Sequence, residues 1–243
     1  MMKMNTKNLG MPVLLVLLLI GIVVISGCTQ KQRTQGLIAY WIFDKTAGNF
    51  VPDASGNNNQ GLLVNSPKWT QGKFGGALIL NGQDNYVEVP LTINWLQLTV
   101  SVWFKPTDLT GAGGYGNPRI ICNSHTDVDN KGFQLRFDKG GANGWVDVGN
   151  GKEHASVGWQ KQLEIGKWYF YVLTYDGSQV KAYLNGVLLG YAPLTGKIAD
   201  SKLPINIGRN PVYNGDYFTG VVDEIRIYKR ALSQKEIITL YNH

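Results

Sequence analysis

Few residues on this chain are spaced for catalysis. A retaining glycosidase needs two carboxylates about 5 Å apart on either side of a glycosidic bond. Outward-facing residues of one strand would deliver them as Glu-x-Asp-x-Glu or Glu-x-Asp-x-x-Glu, and no such run occurs. The nearest acidic pair, Asp223-Glu224, is adjacent in sequence, so on a regular strand the two side chains project to opposite faces.

Other chemistries fare no better. Polysaccharide lyases on jelly-roll folds cluster Arg, Gln, His and Tyr on a concave sheet; His125 or His154 with Arg119 supplies part of that set, but the lyase strand motifs are missing. There is no Gly-x-Ser-x-Gly elbow, no His-Glu-x-x-His and no cysteine pair for zinc. The loop Asp127-Val128-Asp129-Asn130-Lys131-Gly132 spaces its carboxylates like an EF-hand, yet Lys131 sits where an oxygen ligand belongs and a strand pattern follows. It reads as a solvated turn. Cys122, within Arg119-Ile120-Ile121-Cys122, reads as a small buried hydrophobe.

The elements that must carry these residues begin beyond an N-terminal targeting segment. Lys3 and Lys7 precede an apolar run from Val13 to Ile25, which ends at Ser26-Gly27-Cys28. That is the layout of a signal peptide, and the last residues resemble a lipoprotein box with Cys28 as the lipidated residue. An uncleaved anchor helix is the alternative. Residues 1–27 form this segment, 28–36 a polar tether, and 37–243 the globular domain; either anchor places the domain outside the cell. Losing Lys3 and Lys7 lowers the net charge from +6 to +4. With no Lys/Arg run, the chain lacks the footprint of a nucleic-acid binder.

From Leu37 onward, apolar residues recur with period two between Gly, Asn, Asp and Pro. Leu98 to Lys105 sets Leu98, Val100, Val102 and Phe104 inward against outward Thr99, Ser101, Trp103 and Lys105. Phe133 to Phe137 alternates likewise, and Trp145 to Val148 turns Trp145 and Asp147 outward. Asp176-Gly177 and Asn185-Gly186 predict tight hairpins. Ser233-Gln234-Lys235-Glu236 is a capping box that predicts one short C-terminal helix. The expected fold is all-β, a two-sheet antiparallel sandwich.

Several segments, taken in order, resemble the laminin G-like branch of the concanavalin A-like lectin/glucanase superfamily, a jelly-roll fold. They are Leu37-Ile38-Ala39-Tyr40-Trp41-Ile42-Phe43-Asp44, Gly72-Lys73-Phe74-Gly75-Gly76-Ala77-Leu78, Ser101-Val102-Trp103-Phe104-Lys105-Pro106, Tyr183-Leu184-Asn185-Gly186 and Gly220-Val221-Val222-Asp223-Glu224-Ile225-Arg226-Ile227-Tyr228. Phe170 stands where the family often has His.

The resemblance implies a structural Ca²⁺ where the opening loop meets the closing strand, with Asp44, Asp53, Asn58 and Asp223 as its oxygen donors. It also implies a glycan or polysaccharide ligand on the concave sheet or its rim. Trp103, Arg119, Trp145, Asp147, Asn150 and His154 are the candidate contacts, with Arg119 suited to an acidic sugar. A non-catalytic lectin-like module is expected. Cell-surface protein adhesion and an enzyme of unrecognised type are the alternatives, because this fold hosts all three.

Overall fold

The computed structural model describes residues 34–44, 48–110, 116–213 and 215–242. Cys28 and the apolar run before it lie outside the described residues. Residues 36–243 form one compact unit.

The chain lays down β1 (Leu37–Trp41), β2 (Phe50–Val51), β3 (Gly61–Val64), β4 (Lys68–Gln71), β5 (Gly76–Asn81) and β6 (Tyr86–Val89). The middle contributes β7 (Leu98–Pro106), β8 (Arg119–Cys122), a single helical turn α1 (Thr126–Asp129), β9 (Phe133–Phe137), β10 (Asn143–Gly149) and β11 (His154–Gln160). Then come β12 (Tyr169–Tyr175), β13 (Gln179–Leu184), β14 (Val187–Pro193), β15 (Ile205–Ile207), β16 (Thr219–Tyr228) and the terminal helix α2 (Gln234–Tyr241).

Two antiparallel eight-stranded sheets result. The first runs β14-β13-β12-β7-β16-β5-β4, with β1 added on β16; the second runs β11-β10-β9-β8-β15-β6-β3-β2. Their inner faces interdigitate Val100, Val102, Phe104, Phe133, Leu135, Val146, Tyr171 and Ile227, all fully buried. Period-two patterning alone accounts for this core, since each strand buries one face. Asn185 at φ 52° and Gly186 at φ 79° make the β13–β14 turn, which needs positive φ at both central positions.

The outward face of the first sheet is also covered. α2 starts with the expected capping box, in which the Ser233 side chain accepts from the Glu236 N–H while Glu236 accepts from the Ser233 N–H at 2.8 Å. Its Ile237 and Leu240 pack on Trp103, Phe170, Val172, Tyr183 and Tyr228. Thr99 pins the connecting segment by donating to the Arg230 carbonyl at 2.7 Å and accepting from the Leu232 N–H at 2.9 Å.

One strand departs from regular geometry. The β16–β7 register shifts between Asp223 and Arg226, with Glu224 at φ 51°. This bulge, and not simple alternation, sets the Asp223-Glu224 pair. Glu224 accepts from the Tyr40 hydroxyl at 2.6 Å and from Arg226, while Asp223, opposite outward-facing Trp103, is buried beneath the turn carrying Lys73 and Phe74.

Candidate functional site

The outward face of the second sheet is polar. Antiparallel register lines up two rows across its strands: Arg119, Arg136, Trp145 and Gly158 in one, Cys122, Gln134, Asp147 and Ser156 in the next. Arg136 and Gln134 reach this face because Phe133, Leu135 and Phe137 take the core positions between them.

A continuous network ties the rows to the loops above them. Ser156 donates to Asp147 Oδ1 at 2.5 Å, and Arg136 Nε donates to Asp147 Oδ2 at 3.1 Å. Arg136 Nη2 lies 3.5 Å from Asp127 Oδ2, and Gln134 donates to Asp127 Oδ1 at 2.9 Å. His125 Nε2 is 3.2 Å from Asp127 and 3.4 Å from the Tyr213 hydroxyl, which donates to Asp216 at 3.1 Å. Arg119 completes the chain, 3.7 Å from Asp216.

Burial and charge work against each other along this chain. Burial pushes His125 below its ordinary value, so the imidazole is neutral at pH 7. Burial alone would raise the Asp127 carboxyl, but the Gln134 amide and the Arg136 guanidinium more than offset it and hold it low. The guanidiniums of Arg119 and Arg136 are thus matched by Asp216, Asp147 and Asp127.

Trp145 reaches solvent on this face. Its indole is half-buried, with the Arg136 guanidinium 4.7 Å from the ring centre. On the other side it lies across Gly158, where a Cβ would come within 2.8 Å of Trp145 Cδ1. A cleft of about 500 Å³ opens beside it, lined by Asn143, Trp145, Gly158, Gln160, Lys161 and Leu189.

The other expected contacts are distributed unevenly. Asp147 and Arg119 sit on the same face but are fully buried; Asp147 anchors Arg136, and Arg119 is shut beneath the Tyr213 loop. Asn150 is a turn residue, accepting from the N–H groups of Lys152 and Glu153 and donating to the Thr195 carbonyl at 3.1 Å. His154 stands at the rim, 2.7 Å from the Asn130 side chain. Trp103 cannot serve as a contact on this face. It points away from the core as expected, but it lies on the other sheet and is 3% exposed, stacked on Tyr241 of α2 with ring centres 5.5 Å apart.

Arg136, Gln134, His125, Asp127 and Tyr213 were not among the expected contacts. Arg136 and Gln134 were readable from the alternation of their strand. His125 precedes and Asp127 lies in the helical turn α1, the exposed turn expected here, which ends at Asn130 in the left-handed conformation.

The expected calcium donors do not converge. Asp53 accepts from the N–H groups of Tyr40, Ser55 and Asn59, each at 2.9 Å, and from the Ser55 hydroxyl at 2.8 Å, so both its oxygens serve its own turn. Asn58 is exposed in the left-handed region at φ 62°. Asp44 and Asp223 hold a different turn, accepting from Gly76 at 2.6 Å and from Lys73 and Phe74 at 2.9 and 3.0 Å. Among the described residues there is no cluster of three or more His, Cys, Asp or Glu able to hold a metal. Asp44 and Asp223 do share one turn, and Asp223 Oδ1 is buried without a hydrogen-bond partner among the described residues, whereas Asp53 and Asn58 belong to another.

Residues 81–238 match the family model described as the concanavalin A-like lectin/glucanases superfamily. The chain belongs to that superfamily. This superfamily member is 24% identical over 152 residues to adhesion G-protein coupled receptor V1 of Danio rerio; the match takes in 59% of the chain and 2% of the receptor, so the chain spans a small fraction of that relative. Domain 4 of AbnA, a GH43 extracellular arabinanase from Geobacillus stearothermophilus solved in complex with arabinotriose, superposes with a TM-score of 0.67 at 23% identity, covering 84% of this chain and 98% of that domain. The botulinum neurotoxin serotype G binding domain superposes with a TM-score of 0.65 at 15% identity, covering 84% of this chain and 50% of that one. At these identities the likeness establishes the fold.

Proposed function

We propose that this superfamily member is a non-catalytic carbohydrate-binding module displayed outside the cell, with the cleft at Trp145 as its sugar site. The half-exposed indole carries the reading. Arg136 and Gly158 hold it in place beside an open cleft, and the amides of Asn143 and Gln160 lie within reach. A sugar offers an apolar ring face and a rim of hydroxyls, which an indole platform with amide partners complements. The arabinanase domain solved with arabinotriose supports a sugar chain as ligand. Arg119, the expected partner of an acidic sugar, is fully buried and Arg136 already faces two carboxylates, which leaves Lys161 as the cation lining the cleft.

His125 and Tyr213 come nearest to an acid–base pair, but His125 is 5% exposed and held against Asp127. They brace the face and leave binding to Trp145. The adhesion-receptor relative favours a second reading, protein adhesion at the cell surface. We further propose that the domain is tethered to the membrane through lipidated Cys28 or an uncleaved N-terminal helix. No helix among the described residues is long and apolar enough to cross a membrane.

A glycan array probed with the protein and with Trp145→Ala tests the sugar site. The expected result is retention on at least one glycan, lost in the variant while circular dichroism is unchanged. Retention surviving in Trp145→Ala moves the site elsewhere; retention by a protein partner alone establishes adhesion.

A further inference from the structure

We infer that the outward face of the first sheet, on and around α2, is a docking surface for an anionic lipid bilayer. The inference deepens the proposed tethering: that reading supplies a membrane within reach, and the surface itself supplies the contact.

The folded domain begins on this face. The Gly36 carbonyl accepts from the Lys229 N–H at 2.8 Å, Gly36 lies against the Arg230 side chain, and Leu37 packs on the cluster beneath α2. The polar segment from Thr29 to Gln35 reaches roughly 25 Å when fully extended, at about 3.5 Å per residue. An anchored domain therefore stays within that distance of the bilayer, where a weak surface is used at high effective concentration.

The side chains on this face suit a headgroup layer. Trp168, Phe74 and Tyr241 are half-buried at the edge of the cluster. Leu188, Tyr191 and Ile238 are 39, 65 and 40% exposed. Lys73 lies 4.7 Å from the centre of the Trp103 ring and Lys105 lies 5.0 Å from that of the Trp168 ring, so each ammonium is held over an aromatic ring. Lys181 pairs with Tyr191 across β13 and β14, and Lys235 is exposed on α2. Aromatic rings with interleaved lysines are the composition of interfacial surfaces.

Nearby acids are mostly engaged. Glu236 pairs with Arg230, Glu224 with Arg226 and Glu164 with Lys167. Asp176 caps its own turn at Ser178 and Gln179, and Asp223 is buried. Asp44 is the exposed exception, at the margin beside Gly76. The opposite sheet, with its Arg–Asp network and sugar cleft, would then face away from the membrane.

The test is co-sedimentation of residues 34–243, which lack the anchor, with phosphatidylcholine vesicles with and without phosphatidylserine. Binding is expected only with phosphatidylserine, and high salt should abolish it because a surface potential is screened. Lys73→Gln and Lys105→Gln are each expected to weaken it about fivefold. Lys131→Gln with Lys152→Gln, on loops of the second sheet, should leave it unchanged. Absence of binding, equal binding to pure phosphatidylcholine, salt-insensitive binding by the unaltered domain, or equal loss in the Lys131/Lys152 pair overturns the inference. None of these outcomes bears on anchoring, which metabolic lipid labelling of the full chain against Cys28→Ala reports separately.

Discussion

The two outward faces of the sandwich begin from the same pattern and end differently. β7 and β10 each alternate apolar and outward residues, and each places a tryptophan outward. On β7 that residue, Trp103, is sealed under α2 by Phe74, Phe170 and Tyr241. On β10, Trp145 lies between Arg136 and Gly158 with a cleft opening beside it. Strand parity decides which way a side chain points. What later returns to cover it decides whether water or a ligand can reach it.

The largest test of this contrast exchanges the two tryptophans' consequences. Trp103→Ala leaves a cavity among fully packed rings and is expected to cost about 3–5 kcal/mol of stability, read as a lowered denaturant midpoint. Trp145→Ala should cost less than about 1 kcal/mol and should cost sugar retention instead. If Trp145→Ala unfolds the domain and Trp103→Ala does not, the assignment of the two faces is reversed.

The carboxylate beneath the first face sharpens the contrast through pH. Burial raises Asp223 from its ordinary value to about 7, although its hydrogen bonds with the Phe74 and Lys73 N–H groups oppose the shift. The native state then holds a proton that the unfolded chain releases above about pH 4. This contribution to stability is present in full below about pH 4 and is lost as pH rises through 7, by up to about 4 kcal/mol. Asp223→Asn keeps an oxygen acceptor for Lys73 and Phe74 and should flatten the slope of melting temperature against pH between 4 and 8; an unchanged slope would show that Asp223 ionises normally.

On the second face, Arg136→Leu would leave Asp147 buried with only Ser156 as partner. A loss of about 3–5 kcal/mol is expected, because an uncompensated buried charge costs more than the pair contributed. Weakened sugar retention should accompany it, since Trp145 loses its stacking partner. If Arg136→Lys restores stability without restoring retention, the stacking geometry and not the charge is what positions the indole.

Two smaller effects complete the comparison. Ser233→Ala removes the cap of the helix that seals the first face and should cost about 1 kcal/mol. Calcium chelation is expected to leave the melting temperature unchanged, because Asp53 is occupied by its own turn and shares no centre with Asp223. A chelator-induced drop would reinstate a metal at the opening loop.

Much of this protein was fixed by local rules acting on residues close in sequence. Period-two alternation set the strands and the core, Asn185-Gly186 set a hairpin, and Ser233 with Glu236 set the start of α2, since each depends on neighbours a few positions away. The outward directions of Trp145, Asp147 and Trp103 were legible for the same reason. What the sequence could not decide was which outward residues remain reachable. Trp103 is covered by a helix more than a hundred positions away, Arg119 is closed over by the loop carrying Tyr213 and Asp216, and Asp223, outward beside Trp103, is covered by the turn carrying Lys73 and Phe74. The expected calcium donors fall at two turns, because Asp53 caps its own while Asp44 and Asp223 cap the one after β4. Burial and pairing of that kind depend on contacts between distant segments, so only the assembled sandwich determines them.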